Sequence, residues 1–447
     1  MPQDCTGFSV KTEERSRLSR EMRIDLISLI VLAGFVASVF TCYVRGTYLG
    51  LGYPFNTFLF QPADRFMDYF NGLSYATEGH GAGMVGTQGV AYLLFRVFYL
   101  ISFKNAYVSF TLYTLAIVMY VLFYNLKNLF SGPPPKVSGV KLMRSLFILS
   151  FLSYPVLFTL DRGNMEGFAF ISLSLFIYFF RSNRTGIGTL FLAAAAALKV
   201  YPIVFIILYL AEKRYKEAAI FGGVLLVLSA FAYDATQGIY FTFSRFISMV
   251  KSSGDPTNLY NTLFVIGDEG TAFSSSAYGA LKAAIYLWDP LHSGPVILKL
   301  FRAYYTVSLL LFGLISLYVI IVEREFWRKI AILTLTMILF PFVTADYKLL
   351  NLYIPMWLFL NSEKGSQAHP LYTIFFGLLL IPKAYYTIEG DINISVILNP
   401  LIICIFLLYI IAVGLRSAST TGIRQNIAEH LTAVRNLLRF RRVRSAG

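Results

Sequence analysis

Histidine and cysteine are nearly missing from this chain, with four of the first and three of the second in 447 residues. Cys42 and Cys404 lie in or beside apolar runs, and no CxxC or Cys/His spacing occurs. That argues against both a disulfide framework and a zinc site. Charge is scarce as well: Asp, Glu, Lys and Arg make up 14% of the residues against a hydrophobic share of 57%, far from the balance of a soluble domain. There is no P-loop, no GxSxG, no HExxH and no paired histidine. These absences argue against ATP hydrolysis, serine-hydrolase chemistry and zinc peptidases.

What the chain has instead is apolar runs separated by basic turns, the pattern of an all-α polytopic membrane protein. The first span covers residues 24–44 and follows Lys11, Arg15, Arg17, Arg20 and Arg23, while seven arginines from Arg416 to Arg444 follow the last. Both termini therefore read as cytoplasmic, in a multi-pass protein of the cell membrane. The net charge of +14 sits where anionic headgroups attract it, so it does not imply nucleic acid. No small-residue cleavage site follows the first span, which reads as an uncleaved anchor.

Counting spans by the Lys/Arg asymmetry gives about 12 crossings. They form one domain over residues 1–415, followed by a basic amphipathic tail over 416–447. In that tail Ile427, Leu431, Val434, Leu437 and Leu438 oppose the arginines, as in a helix lying on the cytoplasmic surface. The chain is expected to be a monomer. Two long loops, about 45–88 and 234–299, fall on the outer side. Between the first of them and the basic loop at 131–136, the apolar stretches 89–103 and 106–125 break the parity of crossings. One of the two must be re-entrant, in-plane or half of a broken helix. A second break, Lys199-Val200-Tyr201-Pro202, interrupts the apolar run 186–211.

The first outer loop carries Pro62-Ala63-Asp64-Arg65-Phe66-Met67-Asp68-Tyr69-Phe70-Asn71. Read as a helix, this segment puts Asp64 and Asp68 on one face; taken alone, it is equally an interfacial helix with a solvated acidic side. More telling is the company it keeps. Asp161, Arg162, Asn164, Glu166, Lys199, Tyr201, Asp346 and Lys348 are all expected on the same side, at helix breaks where ionisable groups are costly. Asp68, or failing it Asp64, suits a general base, and Arg162, Lys199 and Lys348 suit a phosphate. Tyr69, Asn164, Glu166, Tyr201, Asn258, Asp346 and Tyr347 are further candidates to line a substrate site. No metal or cofactor is called for. Transfer from a lipid-linked phosphate donor fits this mixture of signs. A transporter or flippase of an anionic lipid or solute also lines a cavity with Arg and Lys, and an O-antigen polymerase or ligase shares the substrate class.

The layout resembles the GT-C glycosyltransferases, and within them family 87, which uses polyprenyl-phosphate sugars. The resemblance rests on Asp64-Arg65-Phe66-Met67-Asp68-Tyr69-Phe70-Asn71, Asp161-Arg162-Gly163-Asn164, Lys199-Val200-Tyr201-Pro202 and the turn between Pro341 and Pro355. It departs from the family pattern where Asp346-Tyr347-Lys348 stands in place of a histidine. The resemblance implies an inverting transfer of a sugar from a polyprenyl-phosphate carrier to an extracytoplasmic glycolipid or polysaccharide. A first-loop Asp would be the base, and the carrier phosphate would rest on Arg162, Lys199 and Lys348.

Overall fold

A computed structural model describes residues 19–78, 89–131, 139–237, 255, 257, 260–267, 269–288, 293–362, 370–383, 385–390 and 392–444. Asn258 lies outside these residues, as does much of the second outer loop. The described chain is helical almost throughout, as an all-α membrane protein should be. The one sheet among the described residues, unforeseen from sequence, is an antiparallel pair of β1 (Thr387–Glu389) and β2 (Ile392–Asn393).

Helix α1 (Arg20–Tyr43) begins at Ser19, whose Oγ accepts from the Met22 amide at 3.2 Å. One stripe, Ile24, Ile27, Val31, Gly34 and Ser38, is buried, while Leu29, Val36 and Phe40 are exposed. A helix apolar on both faces but packed on only one presents the other to lipid. Its packing partner is α15 (Leu371–Leu379), met further along the chain. A Cβ on Gly34 would come 2.5 Å from Ile381, and one on Gly377 would come 2.9 Å from Ile30. The backbones therefore approach closely because both helices carry glycine at the crossing.

Past α1 come α2 (Met67–Glu78), α3 (Gly89–Ile101) and α4 (Ala106–Phe130). Helix α4 starts on Asn105, whose Oδ1 accepts from the amides of Tyr107 and Val108, and it buries Ser109, Tyr113, Ile117, Val121, Asn125 and Leu129, nearly every fourth residue. The two stretches that break parity differ in length. Helix α4, with 25 residues, is long enough to span, whereas α3 has 13 and packs on α2. Phe95 of α3 fits against Gly72 and edges onto Tyr69, and Phe98 edges onto Tyr113, so α3 stays at the end of α4 that faces α2.

The rest of the bundle follows in order: α5 (Gly139–Phe147), α6 (Tyr154–Arg162), α7 (Glu166–Arg181), α8 (Thr185–Leu198), α9 (Ile206–Ala211) and α10 (Tyr215–Gln237). Then come α11 (Ala277–Trp288), α12 (Ser293–Ile321), α13 (Phe326–Leu339), α14 (Tyr353–Leu360), α15, α16 (Ser395–Ser417) and α17 (Thr420–Arg444). Among the described residues, five helical stretches are long and apolar enough to cross a membrane: 20–48, 106–130, 139–162, 294–321 and 395–417. Shorter apolar helices lie at 90–101, 185–198 and 201–211, the last two on either side of the break at Lys199. The core is α13, buried on every side from Lys329 to Leu339. Helices α7 and α8 pack closely because the small residues Ala193 and Ala195–Ala197 of α8 are buried and Gly188 lies against Phe176 and Phe180.

The basic turns meet at one end of this bundle. Arg20 donates to Asn361 at 2.9 Å and to the Asn128 and Leu129 carbonyls, Arg214 to Asn183 at 2.9 Å, and Lys329 to Glu212 at 2.7 Å. The tail helix α17 docks there too: Arg324 donates to the Gly422 carbonyl at 2.7 Å, Lys213 pairs with Glu429, and Asn426 donates to the Ile321 carbonyl at 2.8 Å. Ile427 and Leu431 remain exposed on α17. The helix breaks at Gly163, Lys199 and Asp346 lie at the opposite end.

Candidate active site

The expected single helix across Asp64 and Asp68 does not form. Pro62–Asp64 is a turn of 3-10 helix, Arg65 is extended, and Phe66 takes a left-handed φ of 66° before α2 begins at Met67. The cause is tertiary. The Phe66 amide donates to the Asp161 carbonyl at 2.8 Å, and the Phe66 carbonyl accepts from Tyr69 and Phe70 to start α2. Phe66 and Phe70 pack on Phe110 of α4, so the segment is fixed against the protein by its aromatic face.

This loop interlocks with the end of α6 through two Asp–Arg pairs. Arg65 Nε lies 3.1 Å from Asp161, and Arg162 pairs with Asp68. The Asp161 carboxylate also accepts from the Phe60 amide at 3.1 Å, and the Arg162 guanidinium lies 3.9 Å over the Phe60 ring. Gly163 makes the arrangement possible. Its φ of 62° turns the chain between α6 and α7, and a Cβ there would sit 2.8 Å from Tyr69 Cβ. Asn164, next in line, donates to the second Asp68 oxygen at 2.6 Å and accepts from the Glu166 amide at 2.9 Å.

Deeper in, Glu166 is fully buried and is held by Asn351 at 2.5 Å and by the Tyr201 hydroxyl. Tyr201 opens the 3-10 turn Tyr201–Phe205, the break foreseen at Lys199-Pro202, where proline cannot continue the hydrogen-bond ladder. Lys348 lies 4.0 Å over the Tyr201 ring and donates to Thr344 and the Val343 carbonyl, each at 3.3 Å. Burial pushes its ammonium down to about 7; Glu166 opposes that shift, and the nearby charge of Lys199 adds to it. Lys199 itself lies 5.7 Å over the Tyr347 ring. Tyr347 stacks on Phe158 and feels the charges of Asp68, Glu166 and Arg162, which places it between the two halves of the cluster.

Several expected residues thus converge: Asp68, Arg162, Asn164, Glu166, Lys199, Tyr201, Tyr347 and Lys348. The three cations differ, however. Arg162 is paired by Asp68, a partner 94 residues away in the chain. Tyr69 is buried under Phe95 and Phe110, with its hydroxyl on Ser109, so it supports the loop from behind and is not exposed for stacking. Asp64 keeps its carboxylate clear of hydrogen bonds among the described residues, while its carbonyl accepts from Arg162 at 3.4 Å.

Asp346 departs furthest from the expected substrate contact. It is fully buried, and its carboxylate accepts from Tyr154 at 2.9 Å, from Asn399 at 3.0 Å and from Ser275. Burial raises its pKa, opposed by those hydrogen bonds and by Lys383. Lys383 is buried as well and is pushed down to about 8 by that burial, with Asp346 acting the other way. A carboxylate so enclosed joins α6, the second loop and α16, and leaves no face for a ligand. Asn351, Asn399, Ser275 and Lys383 were not picked out from sequence. The signal available was a polar residue inside or beside an apolar run, which alone does not say what it binds.

Among the described residues no group of three His, Cys, Asp or Glu side chains gathers to hold a metal ion. Residues 89–345 match Glycosyltransferase family 87. The chain belongs to this family. No curated protein and no solved structure matches the chain. The family 87 match contains Arg162, Asn164, Glu166, Lys199 and Tyr201, while Asp64, Asp68, Tyr347 and Lys348 flank it in sequence. Membership makes the protein a membrane glycosyltransferase and sets aside the transporter and flippase reading.

Proposed function

We propose that this family 87 member moves a sugar from a polyprenyl-phosphate carrier to a glycolipid or polysaccharide on the extracytoplasmic side, with inversion. The observation that carries the reading is the ion-paired carboxylate of Asp68 beside a cluster that also holds Lys199 and Lys348. In a single displacement the acceptor oxygen attacks the anomeric carbon, its proton passes to Asp68, and the carbon–oxygen bond to the carrier phosphate breaks. The electron pair leaves with the phosphate, whose charge Arg162, Lys199 and Lys348 stabilise. No metal is required in this scheme, because the three cations bear on the leaving group directly.

Arg162 links the two partners of the reaction. It neutralises Asp68, and a phosphate arriving at Arg162 competes for the same guanidinium. Donor binding would then loosen Asp68 and return its lone pairs to the acceptor hydroxyl. Asp64 is the second candidate base, on the specific ground that its carboxylate makes no hydrogen bond among the described residues. About a dozen crossings, with both termini and the tail cytoplasmic, complete the reading, since the basic turns gather at the end opposite the cluster.

The experiment is direct. Purified protein is incubated with labelled polyprenyl-phosphate sugars and a membrane lipid extract, and label is followed into new glycolipid or polymer. Transfer with inverted anomeric configuration is expected; an absence of transfer from every such donor, with folded protein, sinks the proposal.

A further inference from the structure

A cleft separate from the Asp68 cluster opens at the same end of the bundle, against the last turn of α1. It is an open cleft of about 360 Å³, and its walls include Val39, Cys42, Tyr43, Thr47, Asn56, Thr57 and Phe58. That volume lies in the range of small-molecule sites. No charged side chain lines it. Arg45, whose charge reaches Cys42 in the cleft wall, is engaged by the Tyr385 carbonyl, so the carrier's leaving group is better served by Lys199 and Lys348.

The polar groups in the cleft are of one kind. Thr57 Oγ1 accepts from the Leu59 amide at 3.0 Å, which leaves its O–H to donate. Neither the Asn56 amide nor the Thr47 hydroxyl makes a hydrogen bond among the described residues. Tyr43 is 55% exposed and Phe58 half-buried, so the ring of Tyr43 is open to contact. Neutral donors and acceptors beside aromatic rings suit a neutral polyol, whose hydroxyls take the hydrogen bonds and whose C–H faces lie on the rings.

Two further relationships say how such a group would arrive. Leu29, Val36 and Phe40 are exposed along α1, the helix whose last turn carries the cleft, so acyl chains can lie along it while a headgroup sits in the cleft. Phe58, in the cleft wall, is two residues from Phe60, whose ring carries Arg162 and whose amide is bound by Asp161. One short segment thus walls both the cleft and the Asp68 cluster.

We propose that this cleft seats the uncharged, hydroxylated headgroup of a membrane-borne glycolipid acceptor, with Tyr43 against the sugar ring and Thr47, Asn56 and Thr57 on its hydroxyls. The acceptor role rests on the glycosyltransferase reading above; the binding itself does not. The test is native mass spectrometry of the full chain in nanodiscs containing monoglucosyl diacylglycerol and phosphatidylglycerol. The wild-type protein should retain the neutral glycolipid in preference. Asn56→Leu should lower that retention by about 5-fold, the worth of roughly one hydrogen bond, Tyr43→Leu should lower it by about as much through the lost ring contact, and both should leave phosphatidylglycerol unchanged. Both positions are exposed, so neither variant disturbs the core. Retention of the glycolipid at wild-type level by both variants, or a preference for phosphatidylglycerol, overturns the proposal. In the transfer assay the same variants should raise the acceptor KM and leave the donor KM alone. If the wild-type protein transfers nothing yet binds glycolipid through these residues, the enzymatic reading has failed and the cleft stands.

Discussion

Asp161 and Arg162, neighbours at the end of α6, reach in opposite directions to the two ends of one short loop: Asp161 takes Arg65, and Arg162 takes Asp68. The crossed pairs fix where the loop carboxylates lie relative to the cations of the cluster. They also decide which variants should fail, and how.

If Asp68 accepts the acceptor proton, Asp68→Asn keeps the shape of the site and loses the base. Turnover should fall by on the order of 10² to 10⁴, with donor affinity changed little. Lys199→Ala should instead weaken donor binding as well as turnover, because its charge meets the carrier phosphate before and during transfer. Asp64→Asn is the control. Near wild-type transfer by Asp68→Asn together with an inactive Asp64→Asn would move the base to Asp64.

The donor site should be sensitive to pH. Burial holds the Lys348 ammonium at about 7, so its charge is present below that value and fades above it. The donor KM should therefore rise as pH increases from about 6 to about 8.5. Lys348→Arg keeps its charge throughout this range and should flatten the profile. A donor KM with the same pH dependence in both proteins would remove Lys348 from the phosphate site.

Gly163→Ala meets both a left-handed φ and a contact 2.8 Å from Tyr69 Cβ. A strained backbone of this kind costs of order 1–3 kcal/mol. Because Gly163 lies between Arg162 and Asn164, the strain falls on both partners of Asp68. Thermal unfolding of the detergent-solubilised variant should come at lower temperature, and kcat should drop further than the lost stability accounts for. Wild-type values for both would show that the turn relaxes without moving Asp68.

Orientation can be read chemically. Gln61 is exposed at the cluster end and Ser182 at the basic end. With Cys5, Cys42 and Cys404 replaced, a membrane-impermeant maleimide applied to intact cells should label Gln61→Cys and should reach Ser182→Cys only after permeabilisation. The opposite pattern inverts the topology.

Much of the fold was open to reading because the signals were local. Proline and lysine at Lys199-Pro202 announce a break, since one removes a backbone donor and the other resists burial, and the chain does break there. Of the two adjacent stretches at which the expected parity breaks, α3 is the shorter, with 13 residues. What stayed hidden depended on partners far away in the chain. The φ of Phe66 is set by the Asp161 carbonyl, so no helical wheel drawn on Asp64 and Asp68 could foresee the turn between them. Asp346 looked like a ligand for the same reason. Sequence displays its charge but not the hydroxyls of Tyr154 and Ser275 and the amide of Asn399 that enclose it.

That enclosure bears on the order in which the protein is made. The donors to Asp346 are drawn from residues 154, 275 and 399, and the last belongs to α16, almost at the end of the membrane domain. Until α16 has left the ribosome, the carboxylate lacks one of its three partners. A chain truncated before Asn399 would carry every proposed catalytic residue without the amide that completes the enclosure of Asp346.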